Sequence, residues 1–286
     1  MSRTRERFRA VLSGPTCVLA ANIFDPLSAR LADMLGYQVC VLSGSVGKAS
    51  NLGVPDSVLA NMSDVVDHCR RITRMAEVSL MVDAEDGFGN AVNVRRTVQE
   101  MEAAGVAGIE IEDNVVPKQF HVQNPGLVST EEQVGKLRAA VAARTDPSTV
   151  IVARTSALSE CSLDEALARI RAYASTGAEA LMLATVPRGR ADIAAVHQAT
   201  SLPLCVLNPP AEARTDAAFL AANGVRILML GNPLYAIAVQ AMYEALKRLH
   251  EGTALEDLKA LQAPPELLRA VNRSAELSQW QQEYLR

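Results

Sequence analysis

The stretch SLMVDAEDGFGNAVNVRRTVQEMEAAGVAGIEIED, residues 79–113, reads as strand, helix, strand. SLMVDAE (79–85) and GIEIED (108–113) are short apolar runs that end in carboxylates, and between them residues 90–104 carry apolar side chains at i, i+3 and i+4 spacing. Gly105 then stops the helix just before the next strand. Runs that are apolar on both faces and joined through a helix imply parallel pairing, because a parallel neighbour needs a long crossover that covers the sheet.

The same alternation extends outward in both directions. CVLAA (17–21), QVCVLSG (38–44), TVIVART (149–155), ALMLAT (180–185), PLCVLN (203–208) and RILMLGN (226–232) bring the runs to eight. Helical spacing recurs over 26–35, 62–76, 130–144, 163–176, 190–199, 216–222 and 234–250, and Gly36, Gly177 and Gly224 repeat the stop signal seen at Gly105. Eight such units close into a (β/α)8 TIM barrel. Residues 3–12 read as an extra amphipathic helix closing the barrel bottom. Residues 254–286 form a helical tail, broken at Pro264-Pro265, that follows no strand and is expected to pack on a neighbouring subunit. The expected division is a barrel catalytic domain over 1–252 and an oligomerisation segment over 253–286.

Composition narrows the class of function. The chain has 286 residues, 49% hydrophobic and 21% charged, enough to bury a large core. Lys plus Arg number 28 against 32 Asp plus Glu, with no long block of one sign, so nucleic acid is not an expected partner. No apolar run approaches the roughly 20 residues that cross a bilayer, and the charged start MSRTRERFRAVL lacks the apolar block of a secretion signal. A soluble, cytoplasmic protein is expected. The five cysteines are scattered without a C-x-x-C pair, which indicates neither a disulfide framework nor a zinc cluster.

In such a barrel, chemistry gathers at the carboxyl ends of the strands. Asp83, Glu85, Asp86, Glu112 and Asp113 crowd the ends of adjacent strands with no Lys among them in sequence, and all-oxygen donors favour a hard dication, Mg2+ or Mn2+. Strand alternation places Asp83 with Glu85 and Glu110 with Glu112 on one face, Asp113 on the other. For Asp86 and Asp113 a helix cap or a pairing with Arg95 and Arg96 is as good a reading as a place in the metal cluster. Arg154 ends an apolar strand and is expected to face an anion, either a substrate carboxylate or one of these acids. Ser43-Gly44-Ser45 reads as a tight turn whose amides and hydroxyls could cradle a carboxylate or phosphate. Residues 114–129 form a long loop, a candidate lid carrying Lys118 and His121; His68, His197 and His250 lie in helices away from the mouth.

These residues resemble the phosphoenolpyruvate mutase and isocitrate lyase superfamily over residues 8 to about 252. The likeness rests on FDPLSARLADMLGY (24–37), LSGS (42–45), GVPD (53–56), VDAEDGFGNAVNVRRTV (82–98), GIEIED (108–113), GKLRAAVAAR (135–144) and IVART (151–155). The resemblance implies a (β/α)8 barrel whose last helix is exchanged between subunits of a dimer of dimers, and Mg2+ bound beside an α-keto acid or its enolate. By motif position, it implies that Asp83 is the direct metal ligand, that Asp56 and Glu112 hold waters on the metal, and that Glu85 stands for the family's second Asp. It further implies that Ser43, Gly44 and Ser45 bind the substrate carboxylate and carbonyl, and that Arg154 clamps the carboxylate. Asn232, at the end of the eighth run, replaces a His and joins the substrate-binding set.

The Lys-[Lys/Arg]-Cys-Gly-His loop of isocitrate lyases and the Lys-Thr-Asn-Ser loop of the mutases are both absent. Pro117-Lys118-Gln119-Phe120-His121 stands there, and this region is most similar to the oxaloacetate decarboxylase branch. Glu85, Asn232 and Asn208-Pro209-Pro210 depart from that branch. The implied activity is Mg2+-dependent decarboxylation of oxaloacetate. The alternatives are a C–C lyase of the methylisocitrate or dimethylmalate type, a phosphonopyruvate-processing enzyme, and a non-catalytic keto-acid-binding protein.

Overall fold

Each of the eight apolar runs forms strand in the computed structural model, which describes residues 2–56, 59–117, 120–123 and 126–285. The strands are β1 (Val18–Leu19), β2 (Ala21–Ile23), β3 (Val39–Leu42), β4 (Ser79–Asp83), β5 (Gly108–Glu112), β6 (Val150–Thr155), β7 (Ala180–Leu183), β8 (Leu204–Leu207) and β9 (Val225–Met229). All their pairings are parallel, in the order β1-β9-β8-β7-β6-β5-β4-β3-β2. β1 and β2 are one run interrupted at Ala20, whose amide donates to the Leu228 carbonyl at 2.9 Å. Val18 pairs with Ile227 on one side and Ala21 with Cys40 on the other, so the first run joins the two edges and the fold is a TIM-like α/β barrel.

Two apolar layers follow from the period of two along each strand. Val39, Val41, Met81, Val150, Val152, Met182, Cys205 and Ile227 point inward and pack with one another. Their neighbours Cys40, Leu42, Leu80, Val82, Ile109 and Ile111 point outward against the helices, meeting Val94, Val98, Met101 and Leu137. A strand buried between two such layers has no polar face, which is why these runs read as continuous hydrophobic sequence.

The N-terminal helix Arg3–Ser13 closes the amino end of the barrel, as expected from its sequence. Phe8 is fully buried in the inner layer, and a Cβ on Gly108 would lie 2.8 Å from its ring, so the absent side chain at Gly108 makes room for the plug. Arg5 anchors it by donating to the carbonyls of Val106 at 3.0 Å and Glu102 at 2.5 Å, and the Ser79 hydroxyl donates to the Thr4 carbonyl at 2.7 Å.

One local expectation is corrected. Ser43-Gly44-Ser45 is the start of a helix, Gly44–Leu52, with Ser43 at the N-cap position. Gly, Ser and Asn make up much of this segment, and their weak helix propensity and its short length conceal the helical period. The short helices Ala157–Glu160 and Ala211–Arg214 were equally hidden. By packing, the chain forms two compact units, Met1–Asn232 and Pro233–Arg286. The second holds the helix Pro233–His250, a 3-10 segment Leu255–Leu261 and the helices Pro265–Val271 and Ser274–Tyr284.

Replacing the plug with Phe8→Ala is expected to cost about 3–5 kcal/mol of stability, the usual range for emptying a buried aromatic site. Denaturant unfolding reads the loss, while ligand binding at the opposite end of the barrel stays unchanged.

Candidate active site

The carboxyl ends of the strands surround a cavity of about 840 Å³, lined among others by Ser43, Asp83, Glu85, Glu112, Arg154 and Asn232. Asp83, the last residue of β4, is its hub. Asp83 Oδ2 accepts from Arg154 Nη1 at 2.6 Å and from the Gly44 amide at 3.2 Å, and Oδ1 accepts from the Glu85 amide at 3.0 Å. The chain leaves the strand through Glu85 in a left-handed conformation, φ 52°, so the Glu85 side chain turns back into the cavity. A Cβ at Gly44 would stand 2.3 Å from Glu85 Oε1 and 3.2 Å from Asp83 Oδ2, so the absent side chain leaves room for the carboxylates to approach the helix start and any larger residue would displace Glu85. The Gly44 amide, expected to face a substrate anion, faces Asp83 instead.

Arg154 stands among the acids of the mouth. Its Nη1 also donates to Glu110 Oε2 at 3.3 Å, and its Nε lies 3.2 Å from Glu112 Oε2, off-line for a hydrogen bond. Opposite this charged wall is a neutral one. Asn232 Oδ1 accepts from Ser43 Oγ at 3.1 Å and Asn22 Nδ2 at 3.3 Å, while Asn232 Nδ2 donates to Ser45 Oγ at 3.2 Å. Ser43, Ser45 and Asn232, named from sequence, therefore converge, and Asn22 joins them unforeseen.

Lys48 was missed altogether. Its side chain is 4% exposed, with Nζ 2.6 Å from Glu85 Oε1 and 3.1 Å from Asp56 Oδ1. It stands one helical turn beyond Gly44, so recognising the helix at 44–52 was the signal that would have turned it toward Asp56 and Glu85.

Asp86 and Asp113 lie outside the cavity lining. Asp86 accepts from the Phe88 amide at 3.0 Å and pairs with buried Lys136 at 3.5 Å, where the sequence suggested Arg95 or Arg96. Asp113 accepts from Thr155 Oγ1 at 2.7 Å and the Tyr173 hydroxyl at 2.8 Å, on the outer face as alternation requires. The ends of the loop after β5 are zipped together: Asn114 bridges Leu127, and the Val115 amide donates to the Gly126 carbonyl. Asn114, Val116 and Pro117 reach the cavity; His121 is exposed, and Lys118 lies outside the described residues.

Electrostatically the mouth is overloaded with negative charge: Asp56, Asp83, Glu85, Glu110 and Glu112 face only Lys48 and Arg154 among the lining residues described. Burial raises the Glu110 carboxyl to about 7 against the pull of Arg154, and burial together with Asp83 raises Glu85 to about 7 and Glu112 to about 8. Burial also opposes ionisation of Asp83, but the Arg154 guanidinium and the two backbone amides outweigh it and hold Asp83 below its ordinary value. Glu110 Oε1 is buried without a hydrogen-bond partner. Among the described residues no three His, Cys, Asp or Glu side chains converge as a ready-made ligand set. Oxygen-only donors, surplus negative charge and few direct ligands fit a hard dication that keeps several of its waters, the habit of Mg2+.

The profile of the phosphoenolpyruvate phosphomutase family matches residues 8–250. The chain is 44% identical over 275 residues to the oxaloacetate decarboxylase of Rhodopseudomonas palustris (strain BisB18), covering 96% of this chain and 94% of that protein. It is 41% identical over 281 residues to the oxaloacetate decarboxylase of Bradyrhizobium sp. (strain BTAi1 / ATCC BAA-1182), covering 98% and 96%. Among solved structures, phosphonopyruvate hydrolase in complex with oxalate and Mg2+ superposes with a TM-score of 0.89 at 31% identity, covering 99% of both chains.

The raised carboxyls set a pH dependence. Between the ordinary value of 4.5 and about 7, the metal-free folded chain binds more protons at Glu110 than the unfolded chain. Its stability therefore falls as pH rises through that window, by roughly 3 kcal/mol for this one group if its shift is fully expressed. Glu85 and Glu112 act in the same direction. Unfolding free energies measured from pH 5 to 8 should fall, and Glu110→Gln should flatten the slope.

Proposed function

The chain belongs to the phosphoenolpyruvate phosphomutase family, and on that premise we propose that it is a Mg2+-dependent carbon–carbon lyase that decarboxylates oxaloacetate to pyruvate and CO2. The observation that carries this reading is the buried, undercompensated set of carboxylates gathered on Asp83 and Arg154 at the barrel mouth. The relatives named oxaloacetate decarboxylase, similar over nearly their full length, support the choice of substrate.

Asp83 would hold the dication directly, with Glu85, Glu112 and Asp56 acting through intervening waters; Mn2+ would substitute for Mg2+. When bound, the metal supplies Lewis-acid polarisation of the substrate's keto oxygen. The rest falls to the protein. Arg154, paired with three carboxylates, orients the carboxylate next to the ketone. The Ser45 hydroxyl, which accepts from Asn232, donates to the same end of the substrate, and Ser43, donating to Asn232, holds that amide in place. The bond to the far carboxylate breaks, CO2 leaves, the electron pair enters the enolate of pyruvate, and a proton added at the former C3 completes the product. No covalent nucleophile is required.

The same reading includes a homo-oligomer, a dimer of dimers in which the C-terminal segment is exchanged, with 1–252 as catalytic domain and 253–286 as oligomerisation segment. In support, no residue of the helix Pro233–His250 is buried, and Ile237, Met242 and Leu246 are 65%, 56% and 67% exposed. A cytoplasmic location is consistent with five unpaired cysteines, and among the described residues no helix is long and apolar enough to cross a membrane.

Asp83→Ala should abolish metal-dependent pyruvate formation from oxaloacetate, a loss of at least about a thousandfold, while circular dichroism shows the fold retained. Wild-type turnover in that variant would contradict the assignment. Oxaloacetate, 2,3-dimethylmalate and phosphonopyruvate assayed in parallel decide the substrate: oxaloacetate is expected to give the highest kcat/KM, and Mg2+-dependent oxalate binding without turnover on any of them would identify a binding protein.

A further inference from the structure

Lys48 has no part in the chemistry above, yet it is the one lysine lining the cavity among the described residues, and it is almost wholly buried. Its ammonium lies 2.6 Å from Glu85 Oε1 and 3.1 Å from Asp56 Oδ1, so it occupies carboxylate oxygens that a dication would otherwise take. The backbone reinforces this placement. Glu85 enters the cavity from a left-handed position, and its Oε1 fills the space left by the missing Cβ of Gly44, which is one turn from Lys48 on the same helix. Glu85 is thus held from both sides, by the start of the helix and by the ammonium it presents. Arg154 in turn collects Asp83, Glu110 and Glu112. The two cations divide the acidic cluster into two groups.

We propose that Lys48 is a positioning residue that withholds Glu85 from direct metal coordination and leaves positions on the metal open for a bidentate keto acid. Without the ammonium, Glu85 and Asp56 are free to join Asp83 around the dication, and a cluster of carboxylates closes the coordination sphere against substrate. The inference rests on the metal part of the reading above and not on the identity of the substrate.

The test is calorimetric titration of Mn2+, and then of oxalate in saturating Mn2+, into metal-free wild type, K48M, K48R and E85Q. Removing a positive charge a few ångströms from the dication should tighten Mn2+ binding in K48M about tenfold and weaken oxalate binding. K48R, which keeps the charge, should restore both to near wild type. E85Q should weaken Mn2+ binding about 10- to 100-fold, the cost of losing a group that acts on the metal through water, whereas loss of a direct ligand would cost far more. Thermal unfolding with and without Mn2+ gives a second reading: the metal-induced rise in Tm should be larger in K48M than in wild type.

Unchanged or weaker Mn2+ binding in folded K48M overturns the proposal. If K48M does not fold, E85Q decides it, and a loss of Mn2+ affinity of about a thousandfold or more, beyond what an outer-shell group costs, would make Glu85 a direct ligand and overturn it equally. Wild type that binds Mn2+ but releases no pyruvate from oxaloacetate refutes the substrate reading alone; wild type that binds no Mn2+ refutes both.

Discussion

The mouth of this barrel buries more carboxylate than it can neutralise, and the ion pair between Asp83 and Arg154 is the contact that makes the excess tolerable. Two opposite charges about 4 Å apart attract by roughly 4 kcal/mol in surroundings of intermediate dielectric, and here the separation is 2.6 Å. Arg154 spreads that attraction over Glu110 and Glu112 as well. Even so, Glu110, Glu85 and Glu112 remain raised well above the ordinary carboxylate range by burial. A fold that keeps such a cluster has a standing preference for an added cation, and that preference links the stability of the site to its proposed chemistry.

The barrel explains how these groups meet although they are far apart in sequence. Parallel strands present all their carboxyl ends on one side, so Ser43, Asp83, Glu112, Arg154 and Asn232 each need only end a strand to reach the same cavity. At the opposite end the Phe8 plug and the Arg5 anchors close the barrel. Rigidity and reactivity thus occupy opposite ends of the same strands. A backbone distortion at the mouth, the left-handed turn at Glu85, delivers a second carboxylate from a chain that has already left its strand.

The architecture was legible in the sequence because parallel strands buried on both faces must be apolar throughout, and eight such runs separated by helical spacing are hard to mistake. The position of Asp83, Glu112 and Arg154 could be read in the same way, from strand ends alone. What stayed hidden depended on three-dimensional closeness across elements or on weak local signals. The helix at Gly44–Leu52 is short and rich in Gly and Ser, so the segment resembled a turn and Lys48 had no face to point from. Asp86 and Asp113 carried the same acidic signal as their neighbours, but one residue of offset turned Asp113 toward Thr155 and Tyr173, and Lys136, fifty positions away from Asp86, supplied a partner no local pattern shows. Asn22 entered the neutral wall through Asn232, a contact between the first and last strand regions that only barrel closure creates.

The central claim is that the acids on Asp83 form a dication site at the barrel mouth. Anomalous diffraction from crystals grown with Mn2+ and oxalate tests it directly. The account requires a single strong manganese peak inside the cavity, within ligand distance of an Asp83 oxygen, with oxalate filling adjacent positions. A cavity without manganese, or manganese bound away from Asp83, would contradict it.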